Sequence, residues 1–291
     1  MPNDEPLSVV LSDGRTAHVI PHADGWLLEV GGVQQSHIAE PGRPLSLAYA
    51  RWMMAALDSR DHRRIAQLGG GLLMLARAIA GRWPDAVQVV LESEPALVSL
   101  VRSHFPPPAG VTMIEGDARV WLAEAESGSQ EAILIDVFHN GRVPPAFSSV
   151  ELADDARRVL TDEGMLVVNS VAGPELEFTR RQLATLQSVF PHVVMIVQGS
   201  SLGGLRFGNA CLIASGAEID ADSIRERLRG DTSKGALVTD VESIIDGAPP
   251  ISEAEGLWSP EPTLPDVSSS IEMLEGMRTA LLGLLPKRSS R

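Results

Sequence analysis

From residue 65 onward, short apolar runs alternate with amphipathic segments, and this alternation constrains the fold more than any other feature. Each run has the length of a strand, and the segments between the runs have helical spacing. Such an alternation implies parallel strands joined by right-handed crossovers. The sequence therefore predicts an α/β fold with a doubly wound, mainly parallel sheet. The predicted strands are 65–68, 87–91, 111–114, 132–135, 165–169, 193–197 and 210–214.

Two Asp-Gly turns, at Asp13-Gly14 and Asp24-Gly25, separate short apolar stretches near the N-terminus. Asp-Gly between alternating strands is typical of β-hairpins, so a small antiparallel hairpin unit is expected before the sheet. The predicted divisions are a hairpin unit over 1–43, an α/β domain over 44–216 and an acidic, linker-like tail over 217–291.

Two parts of the tail carry distinct signals. Residues 230–269 are rich in Pro, Ser, Gly and acidic side chains, which is typical of a linker or loosely ordered chain. Residues 270–285 predict an amphipathic helix. We expect this helix to dock on the body or on a second subunit, and a separate partner role is the alternative.

Composition excludes several classes of function. The net charge of -14 argues against nucleic acid, because affinity for it depends on cationic contacts to phosphate. The single cysteine, Cys211, excludes an internal disulfide and a cysteine-based metal site, and no metal is expected. No apolar stretch reaches the roughly 18 residues of a membrane span, and no signal peptide is visible at the start. A cytoplasmic protein without a membrane partner is therefore expected.

Glycines and acidic residues follow the predicted strands at the point where each strand ends. Ligands of open parallel sheets lie at the carboxyl ends of the strands, near the reversal of strand order. Gly69-Gly70-Gly71 ends the first strand, where glycines permit a tight turn and close approach of a ligand to the main chain. Glu92, Asp117 and Asp136 follow the next three strands. Together these residues predict a nucleoside site.

Each acidic residue has a functional interpretation and a structural one. Glu92 stands 21 residues after Gly71, close to the spacing of an acid that binds a ribose diol, or it is a solvated turn residue. Asp117 is placed to accept from an adenine amino group or to cap the following helix. Asp136 ends the most apolar strand, where desolvation would tune it as a base, or it forms a turn.

These residues resemble the spermidine synthase, or aminopropyltransferase, family, which shares the class I S-adenosylmethionine-dependent methyltransferase fold. The segment Val30-Gly31-Gly32-Val33-Gln34-Gln35 is similar to the family's Leu-Asp-Gly-Val-Val-Gln, and Tyr49 matches the tyrosine of a Tyr-His-Glu-Met motif. Gly69-Gly70-Gly71 matches the start of Gly-Gly-Gly-Asp-Gly-Gly, and Asp136 matches the first residue of Asp-Ser-Ser-Asp-Pro.

The resemblance implies a set of roles. Asp136 would be the catalytic base and Tyr49 a second catalytic residue. His139, in the position of the motif's second acid, would face the substrate. The residues implied to bind the nucleoside are Gln35, Gly69, Gly70, Gly71, Glu92, Asp117 and Ala118.

The implied activity is transfer of an aminopropyl group from a sulfonium nucleoside to an amine. The co-substrate would be decarboxylated S-adenosylmethionine or S-adenosylmethionine. No metal is implied, and a homodimer is expected. The partners would be the nucleoside and an amine acceptor.

The chain departs from the family pattern on the amine side. Leu72 replaces the acid after the three glycines, His139 replaces the second acid of the later motif, and Ala50-Arg51 replaces His-Glu. Polyamine sites pair buried ammonium groups with carboxylates, so these replacements leave two alternatives open. One is an S-adenosylmethionine-dependent methyltransferase, and the other is a non-catalytic nucleoside-binding or scaffold protein.

Three further side chains have two interpretations each. His139 is either a replacement acid or base, since histidine titrates near neutral pH, or a solvent-exposed loop residue. Arg51 and Arg142 either meet a substrate carboxylate or are ordinary surface arginines.

Overall fold

The computed structural model describes residues 5–22, 24–39, 43–202 and 207–262. The helix predicted over 270–285 lies outside the described residues. The division of the chain into hairpin unit, α/β domain and tail stays a prediction.

A small antiparallel sheet precedes the main sheet, as predicted. Its strands are β1 (Leu7–Val10), β2 (Thr16–His22), β3 (Gly25–Val30) and β4 (Val33–Ala39), paired in that order. Val19 and Leu28, opposite each other, are buried on one face, as the period-two alternation of a half-buried strand requires. That face packs on the helix that follows the second strand of the main sheet.

The main sheet has eight strands among the described residues. Helices connect its parallel strands, as the sequence alternation predicts. The strands are β5 (Arg64–Leu68), β6 (Val87–Glu92), β7 (Val111–Glu115), β8 (Gln130–Ile135), β9 (Leu160–Ala172), β10 (His192–Gln198), β11 (Gly208–Ser215) and β12 (Gly235–Val238). The helices are α1 (Ala48–Leu57), α2 (Met74–Arg82), α3 (Pro95–His104), α4 (Ala118–Glu124), α5 (Val150–Val159), α6 (Glu177–Val189), α7 (Gly199–Leu202), α8 (Ala221–Leu228) and α9 (Glu242–Ile245).

The strand order is β12-β10-β11-β9-β8-β5-β6-β7. The pairs from β9 to β7 are parallel, and β11 runs antiparallel to both β9 and β10. The order reverses at β5, which lies between β6 and β8. The predicted doubly wound, mainly parallel α/β fold is confirmed, and the crevice for a ligand is expected above β5 and β8.

The central strands are buried on both faces. In β9 every residue from Gly164 to Ala172 is buried, which is typical of a strand covered by helices on two sides. Trp52 of α1 fills one face with α2 and α8, while Leu183 and Phe190 fill the other with α5. Within the described ranges, no helix combines the length and hydropathy needed to cross a membrane.

Residues 230–262 differ from the linker-like interpretation. Strand β12 pairs with β10, and Trp52 donates a hydrogen bond from Nε1 to Ser233 Oγ at 2.7 Å. Ile251 is fully buried, and its N–H donates to Thr185 Oγ1 at 2.8 Å. Widely spaced apolar residues anchor this segment, so its polar composition hides a packed structure. Tertiary burial here outweighs local propensity.

We expect Ile251→Ala to lower the free energy of unfolding by about 2–5 kcal/mol, because it opens a cavity in the core. Ile114, which is 37% exposed, supplies the matched control, and Ile114→Ala is expected to cost less than about 1 kcal/mol. Urea denaturation measures both variants. Equal losses would mean that residues around 251 do not belong to the packed body.

Candidate functional site

Asp136 stands directly after β8, at the point where the strand order reverses. Tyr49 of α1 donates a hydrogen bond from its hydroxyl to Asp136 Oδ2 at 3.0 Å. Asn169 of β9 donates from Nδ2 to Asp136 Oδ1 at 2.8 Å. Each carboxylate oxygen therefore has one donor, and the two donors come from different elements.

Burial raises the pKa of Asp136 above its usual value, because desolvation disfavours the charged form. The hydrogen bonds from Asn169 and Tyr49 act against this shift, and the negative charge of Glu92 adds to it. Burial, followed by the charge of Asp136, raises the pKa of Tyr49 well above its usual value, so this phenol stays protonated and acts as a donor. A carboxylate with a raised pKa at the carboxyl end of a parallel strand has the properties of a general base.

A chain of amides, which the sequence did not predict, supports this carboxylate. Asn209 of β11 donates from Nδ2 to Asn169 Oδ1 at 3.0 Å, and this bond orients the Asn169 amide so that its NH₂ faces Asp136. Asn169 is 2% exposed. The available signal was an asparagine at the end of an apolar run, since a buried amide needs partners.

The glycine loop after β5 fits closely against Asp136. Gly69 has φ +95°, and a Cβ atom there would clash with the Asp136 carbonyl oxygen. Gly71 has φ +49°, a left-handed conformation that favours glycine. Only glycine at position 69 lets the loop pass this close to the end of β8.

Glu92 organises the same loop. Its Oε2 accepts hydrogen bonds from the backbone N–H groups of Gly70 at 3.2 Å and Gly71 at 2.9 Å. Its Oε1 accepts from the N–H of Glu94 at 3.0 Å. A carboxylate has about four acceptor positions, so one remains at Oε1 for a ligand hydroxyl. Glu92 is therefore both a loop scaffold and an available acceptor.

Asp117 caps α4, as the structural interpretation of this residue predicts. Its Oδ1 accepts from the N–H groups of Arg119 at 2.7 Å and Val120 at 3.3 Å. Both bonds use one oxygen, so Oδ2 is left for another donor. Ala118 is the first residue of α4 and is 7% exposed.

Gln35 is the extra residue of a β-bulge in β4. Opposite β3, Leu28 pairs with Ser36 and Glu29 pairs with Gln34, so Gln35 has no partner. Bulges re-aim side chains and are frequent beside binding sites. The neighbouring Ser36 side chain lies 3.5 Å from the position that a Gly71 Cβ would take, which brings β4 next to the glycine loop.

The residues that replace the family's polar side chains on the expected amine side have structural roles. Leu72 is fully buried and packs in the core beneath the small sheet. Ala50 is fully buried, and Arg51 forms an ion pair from Nε to Asp231 Oδ2 at 2.7 Å. Arg51 also donates to the carbonyl of Leu45 at 2.7 Å. Neither Leu72 nor Ala50 supplies a polar group, and the Arg51 guanidinium is occupied.

His139 is exposed, as its structural interpretation predicts, and none of its hydrogen bonds in the described region reaches Asp136. It pairs with Arg142 across a tight turn whose Asn140 and Gly141 have positive φ values. The Arg142 guanidinium lies 5.5 Å from the centroid of the Trp258 ring and donates to the Ser259 carbonyl at 2.6 Å. The late segment of the chain therefore holds this turn in place.

Comparison with known proteins supports the resemblance. No protein-family model matches the chain. A polyamine aminopropyltransferase of Chromobacterium violaceum is 30% identical over 145 residues, which are 48% of this chain and 55% of that protein. A polyamine aminopropyltransferase of Neisseria meningitidis is 27% identical over 203 residues, which are 67% of this chain and 74% of that protein.

A solved structure extends the similarity over most of the fold. The crystal structure of a probable spermidine synthase from Corynebacterium glutamicum superposes with a TM-score of 0.79 at 26% identity, covering 87% of this chain and 97% of that one. The predicted resemblance to spermidine synthases is confirmed. The chain spans about half the length of the first curated relative that it matches.

The glycine loop provides a sharp test of the site's geometry. Gly69→Ala is expected to cost clearly more stability than the roughly 1–2 kcal/mol of a left-handed alanine, because its Cβ would also displace the Asp136 carbonyl. Gly128→Ala is the matched control, since Gly128 has φ +67° and a Cβ atom added there would have nothing within 4 Å. Thermal unfolding measures both, and equal costs would contradict the close approach of the loop to β8.

Proposed function

We propose that this protein is a spermidine synthase-like transferase, which moves an aminopropyl group from decarboxylated S-adenosylmethionine to an amine. The observation that carries the proposal is the Asp136 carboxylate, held by Tyr49 and Asn169 beside the glycine loop. The similarity to polyamine aminopropyltransferases supports the same activity.

The proposed reaction needs one base and accurate positioning. The amine nitrogen attacks the carbon next to the sulfonium, the carbon–sulfur bond breaks, and its electron pair goes to sulfur to give a neutral thioether nucleoside. The proton lost by the amine goes to a carboxylate oxygen of Asp136. Tyr49 keeps its own proton and donates to that carboxylate. Because the sulfonium is a good leaving group, positioning supplies most of the acceleration.

The nucleoside is proposed to bind along the glycine loop. The backbone of Gly69 to Gly71 would lie against it, and the remaining acceptor position of Glu92 would take a ribose hydroxyl. Asp117 Oδ2 and Ala118 would face the adenine ring of the nucleoside, and Gln35 would reach the nucleoside from the bulge in β4. The carboxylates of Asp136 and Glu92 favour the positive sulfonium electrostatically.

The amine acceptor is proposed to carry a single cationic centre. A second ammonium needs a carboxylate partner in a desolvated cleft. Ala50 and His139 supply none, since neither is an acid. Arg51 is cationic and is paired with Asp231. We therefore expect a monoamine to react faster than putrescine, the diamine of ordinary spermidine synthesis.

The activity is tested by incubating the full chain with decarboxylated S-adenosylmethionine and a panel of monoamines and diamines, with methylthioadenosine release as the readout. S-adenosylmethionine is run in parallel, and formation of S-adenosylhomocysteine would indicate methyl transfer instead. Stabilisation against heat by the nucleosides without turnover of any amine would indicate the non-catalytic alternative.

Within the same assay, Asp136→Asn is expected to lower kcat by about 10²- to 10⁴-fold, because it removes the proton acceptor. The melting shift produced by methylthioadenosine should remain, since the glycine loop and Glu92 are unchanged. Asp162→Asn is the control, because the Asp162 side chain is fully solvent-exposed. Unchanged turnover in Asp136→Asn would remove Asp136 as the base.

Asn169 is proposed as a positioning residue, and the pH profile tests this. Its hydrogen bond favours the charged carboxylate and lowers the pKa of Asp136. Asn169→Leu should raise that pKa, so a base that must be ionised becomes active only at higher pH. The acid limb of the kcat/KM profile should therefore move to higher pH.

Asn209→Leu, one hydrogen bond further from the carboxylate, serves as the graded control and should move the acid limb less. Thermal unfolding of both variants confirms that they are folded. An acid limb that stays in place in Asn169→Leu would contradict the positioning role.

A further inference from the structure

Two histidines and an aspartate come together at one end of the small sheet, outside the proposed nucleoside site. His22 Nδ1 lies 3.0 Å from Asp24 Oδ1, and His37 Nε2 lies 3.2 Å from the same oxygen. The three ligand atoms all fall within 4.8 Å of one another. Among the described residues, this is the one group of three or more histidine, cysteine or acidic side chains whose possible ligand atoms lie so close together.

The register of the sheet explains why the two histidines meet. Ile20 of β2 pairs with Leu27 of β3, and Leu27 pairs with His37 of β4, so these side chains share a face. His22 follows Ile20 by two residues and therefore lies on that face as well. Asp24 belongs to the tight turn between β2 and β3.

A glycine fixes the turn against β4. Gly25 has φ +151°, and a Cβ atom there would clash with the Ile38 carbonyl oxygen. This close approach carries Asp24 to the strand that holds His37. The register of the strands and the contact at Gly25 thus fix the backbone positions of all three residues.

His37 is unusual for a buried polar residue. It is 1% exposed, yet within the described part of the chain neither ring nitrogen makes an aligned hydrogen bond. A buried polar group left without a partner costs about 1–3 kcal/mol, and most such groups in native proteins are satisfied. The Nε2 atom instead faces the oxygen that His22 also contacts.

We propose that His22, Asp24 and His37 bind a divalent transition-metal ion of the Zn²⁺ type. Tetrahedral coordination with bonds of about 2.0–2.1 Å places neighbouring ligand atoms roughly 3.3 Å apart. The two separations that end on Asp24 Oδ1, 3.0 and 3.2 Å, approach this spacing, and the two histidine nitrogens lie within 4.8 Å of each other. Imidazole and carboxylate donors suit Zn²⁺ and its neighbours in the first transition row.

The proposed ion would satisfy the buried nitrogen of His37 and join the β2–β3 turn to β4. Three protein ligands leave a fourth position, and the cluster reaches the surface, because the His22 side chain is 50% exposed. A water molecule is the expected fourth ligand. The site is separate from the proposed transferase chemistry, which uses no metal.

Metal binding is tested on the full chain after treatment with EDTA and dialysis. Titration calorimetry with ZnCl₂ should give one ion per chain, and Co²⁺ should give the intense visible absorption of tetrahedral coordination. His22→Ala and Asp24→Asn should each raise the Kd for Zn²⁺ at least about 100-fold, since loss of a direct ligand should exceed the 10–100-fold effect of outer partners. These two residues are more exposed than His37, so the variants are expected to fold.

His18→Ala is the matched control, because His18 is an exposed histidine of the same strand, which hydrogen-bonds to Ser8 instead. It should bind Zn²⁺ as the parent chain does. The proposal is overturned if the parent chain binds no Zn²⁺, or if all three variants bind it equally well. Aminopropyl transfer, measured with and without EDTA, should not change, which separates this test from that of the transferase.

Discussion

The partly buried carboxylate of Asp136, with the two hydrogen bonds that it accepts, is the interaction on which the rest of the site depends. A charge in a desolvated position is costly unless hydrogen bonds satisfy it. Here the donors are Tyr49 and Asn169, which lie on α1 and β9. Ionisation of this carboxylate at low cost therefore requires α1, β8 and β9 to be in place. Through Asn209, it requires the antiparallel strand β11 as well.

The same constraint couples Asp136 to the glycine loop. Gly69 packs against the Asp136 carbonyl, and Glu92 holds the amides of Gly70 and Gly71. Any displacement of the loop would thus move the end of β8. A nucleoside bound along the glycines would be placed relative to the carboxylate by backbone contacts, which vary less than side-chain rotamers do. That rigidity suits the proposed reaction, whose main requirement is alignment.

Features that depend on local periodicity are predicted well from the sequence. Alternating strands and helices identify the doubly wound sheet, and the strand-end rule identifies Gly69 to Gly71, Glu92 and Asp136 as neighbours. Long-range pairing carries no such local signal. Asn169 and Asn209 meet only because β9 and β11 run antiparallel, and β12 joins the sheet although its surroundings have the composition of a linker.

The capping of α4 by Asp117 shows a second limit, because one aspartate can satisfy a helix end and a ligand with different oxygens. The cluster of His22, Asp24 and His37 shows a third. Its members are 2 and 13 residues apart in sequence and match no ligand-spacing motif, so only the register of three strands brings them together. Sequence spacing identifies ligand sets that lie on one helix or loop. It carries no signal for sets whose members come together across a sheet.

The two halves of the proposed active site differ in how tightly the fold constrains them. On the nucleoside side, the glycine loop and Asp136 are in backbone contact, so a substitution there disturbs the sheet itself. On the amine side, Leu72 contributes to the core, Arg51 binds Asp231, and the His139–Arg142 turn is held by Trp258 and Ser259. These residues have structural partners that do not include the base. The proposed acceptor can therefore differ from that of the similar enzymes while the proposed sulfonium chemistry stays the same, because the proposed bond-breaking step requires only the donor, one nitrogen nucleophile and Asp136.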